Sequence, residues 1–123
     1  MFNHVGLRVV DLDTSVRFYE AVLRPLGHVL CTRWDDGAGF GPPDAPALWL
    51  HLVPAATQAG THVALDAAER GAVDAFHAAG LAAGGTDNGQ PGPRPDYGPT
   101  YYAAFLIDPD GNNLEAACLK AVA

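Results

Sequence analysis

Residues 4–27 read HVGLRVVDLDTSVRFYEAVLRPLG and residues 62–85 read HVALDAAERGAVDAFHAAGLAAGG. Laid over one another without a gap, at an offset of 58, they agree at seven of 24 positions: His4/His62, Val5/Val63, Leu7/Leu65, Phe18/Phe76, Ala21/Ala79, Leu23/Leu81 and Gly27/Gly85. An alanine-rich chain supplies alanines by chance, but hardly a shared His, Phe and closing Gly. Self-similarity at such a period marks a supersecondary unit used twice. Each copy reads as strand, turn, helix and glycine stop. Val5, Leu7 and Val9 alternate with His4, Gly6 and Arg8, the period of a half-buried strand. Asp11 or Asp13 can cap the next helix, in which Leu12, Val16, Tyr19 and Leu23 recur at helical spacing before Pro25 and Gly27 end it. In the second copy Val63, Leu65 and Ala67 alternate with His62, Ala64 and Asp66, and the helix carries Val73, Phe76 and Gly80 on one face.

Short strands follow each helix. In the first half they are expected at about 28–34, 38–41 and 47–53, and in the second at about 82–86, 101–107 and 112–118. Asp108-Pro109-Asp110-Gly111 joins the last two as a hairpin turn. Each half is therefore βαβββ. One helix per half is too few for the crossovers of a parallel sheet. The fold class is α+β: two tandem modules, about 1–57 and 58–123, in one domain of residues 1–123. Together they form a curved eight-stranded mixed sheet around a cavity, with helices outside.

The chain has 123 residues, seven Lys and Arg against 14 Asp and Glu, and a net charge of −7. Phosphate binding needs a basic footprint, so nucleic acid is excluded as a partner. Apolar residues make up 49% and charged residues 17%, the balance of a folded globule. No apolar run approaches the ~18 residues of a membrane span. Met1-Phe2-Asn3-His4 shows no basic region followed by an apolar stretch, so no signal peptide and a cytoplasmic location are expected. Cys31 and Cys118 are then expected as reduced, buried thiols. Fourteen Gly and ten Pro exceed the usual ~12% share. Most lie in residues 37–46 and 84–99, expected as loops within the domain, with 86–99 a candidate lid.

Strand parity collects the polar groups. His4 and His62 oppose the apolar sets of their strands. Trp49 and His51 oppose Leu48, Leu50 and Leu52. Glu115 opposes Leu114, Ala116 and Cys118. Singly, each reads as an ordinary surface group. A pair of His at the repeat offset, with a Glu of the same parity, reads as a candidate divalent-metal site. Two His and a Glu form the facial set of non-haem Fe(II), and similar N/O sets take Mn, Ni or Zn. His51 is a candidate fourth ligand, at an offset of 64 from Glu115.

Paired βαβββ modules, the opening H-x-G-L-x-V-x-D-L-x-x-S-x-x-F-Y (His4 to Tyr19) and the closing D-P-D-G-N-x-L-E (Asp108 to Glu115) resemble the vicinal oxygen chelate superfamily. That superfamily includes glyoxalase I, bleomycin-resistance proteins, fosfomycin-modifying thiol transferases and extradiol dioxygenases. The resemblance implies metal ligands at His4, His62 and Glu115. The fourth glyoxalase ligand, a Glu there, falls at or near His51. It further implies a homodimer and a divalent metal acting as Lewis acid on a small oxygen-bearing substrate, in lyase, thiol transferase or ring-cleaving dioxygenase chemistry. Trp49, Tyr97, Tyr101 and Tyr102 are candidate pocket walls and Arg94 a candidate anion contact. The alternative is a non-catalytic dimeric module that sequesters an aromatic or cationic small molecule.

Overall fold

The computed structural model describes residues 1–54 and 60–121. The expected module boundary near residue 57 lies outside the described residues. The first module runs β1 (Val5–Val9), α1 (Leu12–Leu23), a 3-10 turn (Arg24–Leu26), β2 (Val29–Trp34), β3 (Gly37–Gly41) and β4 (Leu48–Leu52). The second runs β5 (His62–Asp66), α2 (Arg70–Ala82), β6 (Thr86–Pro93), β7 (Tyr102–Ile107) and β8 (Asn113–Cys118). The strands make two four-stranded mixed sheets, ordered β1-β4-β3-β2 and β5-β8-β7-β6. In each, the first and last strands of the module pair in parallel and the remaining pairs are antiparallel. Eight strands are present among the described residues, as two ladders rather than one continuous sheet. No ladder joins the edge strands β1 and β5 among the described residues.

The helices bring the ladders together. Leu7, Val9, Phe40 and Leu50 of the first sheet and Leu106, Leu114 and Ala116 of the second belong to one buried core with α1 and α2. Gly80 marks the tightest point of that packing. A Cβ there would lie 2.2 Å from Leu106 Cδ1 and 3.1 Å from Val22 Cγ1. A helix-interior glycine costs about 1 kcal/mol against alanine, and here the close approach of α1, α2 and β7 requires it. Asp11 caps α1, its side chain accepting from the Thr14 N–H at 3.1 Å. Gly27, at φ 88°, ends the following turn in the left-handed conformation. The equivalent Gly85 is a glycine for a different reason. Gly84 takes the positive φ, and a Cβ on Gly85 would meet the Phe18 ring at 2.6 Å.

The second half departs from expectation after α2. No strand occupies 82–85, and residues 86–93, expected within a lid, form β6 on the edge of the second sheet. Proline and glycine suit an edge strand, where one row of N–H groups has no partner to supply. The register of β6 shifts on both sides of Gly89, and the Asp87 carboxylate accepts from the Gly89 N–H at 3.0 Å. His77, buried in α2, ties the strand down through Nε2 to Asp87 Oδ1 at 2.8 Å.

The turn before β8 does more than reverse the chain. Asp108 Oδ1 accepts from the N–H groups of Asp110 and Asn112 at 2.9 and 2.8 Å. Asp108 Oδ2 accepts from Asn112 Nδ2 at 2.9 Å and from the Tyr19 hydroxyl at 2.5 Å. Asp110 accepts from the Ser15 hydroxyl and the Val10 N–H, both at 3.0 Å. Asn112 Oδ1 accepts from the Thr61 N–H ahead of β5 at 3.1 Å. Tyr19, Ser15, Asp108 and Asn112 are all buried. Burial, with Asp108 beside it, raises the Tyr19 pKa well above its ordinary value and keeps the hydroxyl a donor. Cys31 and Cys118 are free thiols; Cys118 is buried as expected, whereas Cys31, expected buried, is only half-buried on β2, and no helix among the described residues is long and apolar enough to cross a membrane.

Hydrogen bonds to buried charged groups contribute about 1.5–3 kcal/mol. Tyr19→Phe, which removes one from Asp108 without opening a cavity, is therefore expected to destabilise the fold by about 2 kcal/mol. In thermal unfolding this lowers Tm by on the order of 8 °C. Tyr97→Phe, at a residue 66% exposed, leaves Tm unchanged. Equal Tm values for the two variants would remove the clasp from the account.

Candidate functional site

Each sheet turns its apolar side chains inward and presents an opposite, open face. Ladder register sets which residues meet there. On the second sheet Ala64 pairs with Glu115 and Glu115 with Phe105, while His62 pairs with Asn113. His62, Ala64, Ala103, Phe105, Glu115 and Ala117 therefore share the open face. Tyr101, just ahead of β7, has the same parity.

The structure brings His62 and Glu115 together. His62 Nε2 lies 3.1 Å from Glu115 Oε1, with His62 half-exposed and Glu115 buried. His62 Nδ1 faces the Asn113 carbonyl at 3.2 Å. Glu115 Oε2 accepts from the Tyr101 hydroxyl at 2.5 Å. That bond, followed by burial, pushes the Tyr101 pKa up to about 12, so the phenol stays a donor. Both ring nitrogens of His62 thus face oxygen atoms, the Asn113 carbonyl and the Glu115 carboxylate. An imidazole nitrogen and a carboxylate oxygen are donor types that divalent first-row metals accept.

His4 stands elsewhere. It is exposed at the start of β1, its Nδ1 2.8 Å from Asn3 Oδ1. Among the described residues no three His, Cys, Asp or Glu side chains gather as a metal-holding group. His4 instead flanks an apolar cavity of about 240 Å³ between the edges of β1 and β5, with Phe2, Leu23, Phe40, Val63 and Leu65.

Pairing also relocates His51. Val5 pairs with Leu48 and Val63 with Leu114. The second-module partner of β4 is thus reached by 66 positions, 114 against 48, while β5 is reached from β1 by 58. At that register Trp49, not His51, occupies the place of Glu115. Parity gave both the same face, and only the ladder gives the level. His51 leans back over the Gly6 backbone, where a Cβ would lie 3.3 Å from its Nε2.

The remaining candidates divide. Tyr102 shares the side of Ala104 and Leu106 and points to α2, where its hydroxyl donates to Asp74 at 2.6 Å and Arg70 lies over its ring. It is no wall of the open face. Tyr97, 66% exposed, meets Tyr101 edge-on at 5.4 Å. Arg94 lies over the Phe105 ring at 5.5 Å and donates to the Gly92 and Gln90 carbonyls at 2.9 and 2.7 Å. Phe105 in turn stacks on His62 at 6.3 Å. The first sheet's open face is paved with rings laid on glycines. A Cβ on Gly39 would stand 2.6 Å from the Trp49 ring, and one on Gly37 2.2 Å from Trp34. The two indoles are 5.9 Å apart, and Trp34 is 41% exposed. Trp34 and Phe105 were missed at the sequence level. Phe105 had a signal, since it shares the parity of Tyr101 and opposes Leu106.

The Glyoxalase/Bleomycin resistance protein/Dioxygenase superfamily profile matches residues 1–116. The chain is similar to a glyoxalase/bleomycin resistance protein from Albidiferax ferrireducens T118, at 34% identity, a TM-score of 0.83, and coverage of 96% of this chain and 98% of that one. A family enzyme from Burkholderia phytofirmans PsJN shares the fold at 20% identity and a TM-score of 0.75, over 96% of this chain and 98% of that one. A glyoxalase I mutant from Zea mays aligns at 25% identity and a TM-score of 0.68 over 94% of this chain, which spans 46% of the maize protein. No curated protein matches the sequence.

Both tryptophans of the chain stand on the paved face, so intrinsic fluorescence reads it alone. In a Trp34→Phe background, Gly39→Ala is expected to lift Trp49 off the strand, shift its emission to the red and increase quenching by acrylamide. An unchanged spectrum would show that the glycine does not seat the ring.

Proposed function

Because the chain belongs to the Glyoxalase/Bleomycin resistance protein/Dioxygenase superfamily, we propose that it is a metal-dependent enzyme whose His62 and Glu115 hold a divalent cation. The superfamily includes enzymes such as glyoxalase I. The observation that carries the reading is the His62–Glu115 pair, an imidazole nitrogen and a buried carboxylate oxygen 3.1 Å apart on the open face. Fe, Mn, Ni and Zn all suit its nitrogen and oxygen donors. Bound there, the cation supplies Lewis acidity to an oxygen of a small substrate. The chain's own groups prepare the surroundings. Phe105 backs the imidazole and offers an apolar wall. Arg94, whose hydrogen bonds go to carbonyls and not to a carboxylate, keeps its charge for an anionic substrate group. Tyr97 rims the site.

The third ligand in this reading is His4 of the partner subunit in a homodimer. His4 sits on the edge strand of one sheet and His62 and Glu115 on the open face of the other, so a second copy offers the means to join them. Isologous pairing would build the site twice.

The test is metal content and its genetics. Protein purified without chelator and equilibrated with Mn(II), Fe(II), Ni(II) or Zn(II) is expected to retain stoichiometric metal. His62→Ala, Glu115→Ala and His4→Ala lose it. Co-expression of differently tagged His4→Ala and Glu115→Ala chains then restores a whole site in the mixed dimer, since each chain supplies what the other lacks. Wild-type protein that retains no metal sinks the proposal. Metal-binding wild type with no recovery in the mixed dimer sinks the shared site.

The indole-paved face favours a second reading, a sequestering module for a planar aromatic molecule. Its mark is tight quenching of tryptophan emission by such a molecule in protein stripped of metal.

A further inference from the structure

We infer that Tyr101 is a positioning residue that makes Glu115 a single-oxygen ligand, by hydrogen-bonding the second carboxylate oxygen. The inference rests on the metal reading above and assigns a role within that site.

The geometry is specific. Glu115 is level with Phe105 on the ladder, and Ala117 with Ala103. Tyr101 lies two residues before Ala103, just ahead of β7 and four residues from the level of Glu115, a span on the order of 13 Å at strand rise. The hydroxyl reaches Oε2 at 2.5 Å only if the phenol lies lengthwise along the strand. Ala103 and Ala117, paired on the ladder, lie on the same face between Tyr101 and Glu115. Both are buried although they sit on the open face, as residues beneath a ring would be. Larger side chains would block it.

The tyrosine is also fixed at its base. Its carbonyl accepts from the Arg94 N–H at 2.8 Å and its N–H donates to the Gly98 carbonyl at 3.3 Å. The neighbouring Thr100 hydroxyl donates to the Leu119 carbonyl at 2.6 Å. Tyr97 braces the ring from the side. Glu115 therefore has one oxygen toward His62 and the other held by the phenol. A carboxylate restrained in this way offers one oxygen to a cation and occupies one coordination position. More positions stay open to a substrate that binds through two oxygens. Partners of ligating groups typically affect metal affinity by 10–100-fold when removed.

Tyr101→Phe keeps the ring and deletes only the hydroxyl. It is expected to bind Zn(II) or Mn(II) 10–100-fold more weakly in calorimetric titration, with thermal unfolding close to wild type. The Co(II)-loaded variant is expected to absorb more weakly in the visible than Co(II)-loaded wild type, because the freed second oxygen raises the coordination number. Ala117→Val, which keeps the phenol but adds bulk on the face between it and Glu115, gives the same two changes. Wild type that binds metal, with Tyr101→Phe unchanged in affinity and spectrum, overturns the role of Tyr101 and leaves the metal site standing. Weaker binding with an unchanged cobalt spectrum also overturns it, since the tyrosine would then be a prop of the fold. Wild type that binds no metal removes both.

Discussion

A buried carboxylate is costly unless its lone pairs are filled, and Asp108 fills its own with two backbone N–H groups, one amide and the Tyr19 phenol. That single side chain joins the hairpin that launches β8 to the first helix of the other module. Through Asn112 the same turn reaches the segment ahead of β5. The level of Glu115 beside His62 depends on where β8 starts, and that start is set at Asp108. The network lies about as far in sequence from Tyr19 as the chain allows, so it closes the fold end to end.

Much of this was legible from particular residues. The matched His, Phe and Gly of the 58-residue repeat announced two βαβββ units before any coordinate. Alternation in 112–118 put Glu115 opposite Leu114, and that parity holds on β8. What failed had physical causes. Parity says which face a residue takes and nothing about its level, so His51 and Trp49 could not be ranked against Glu115 until β1 had been paired with β4. Composition made 86–99 a loop because glycine and proline weaken strands in general, yet they are harmless where a strand has only one neighbour. Tyr101 and Tyr102 are adjacent and chemically alike, and a strand sends adjacent residues to opposite sides. Leu106 held the information that separates them.

The two open faces have different chemistry although the modules share one repeated pattern. The first carries indoles on a glycine floor, with Trp49 at the level where the second has Glu115. The second carries a carboxylate, an imidazole, a phenol and a guanidinium around Phe105. One face is ring-lined and apolar, the other polar and hydrogen-bonded. The repeat thus supplies one scaffold twice, with different side chains on its two open faces.

The outer strand β6 has a bearing on how copies of this chain can meet. An unpaired strand edge is a template on which another chain can add itself. Pro91 and Pro93 present no N–H, and the register shifts around Gly89 bend the line of carbonyls. Lateral growth of the second sheet into a fibre is closed off at that margin.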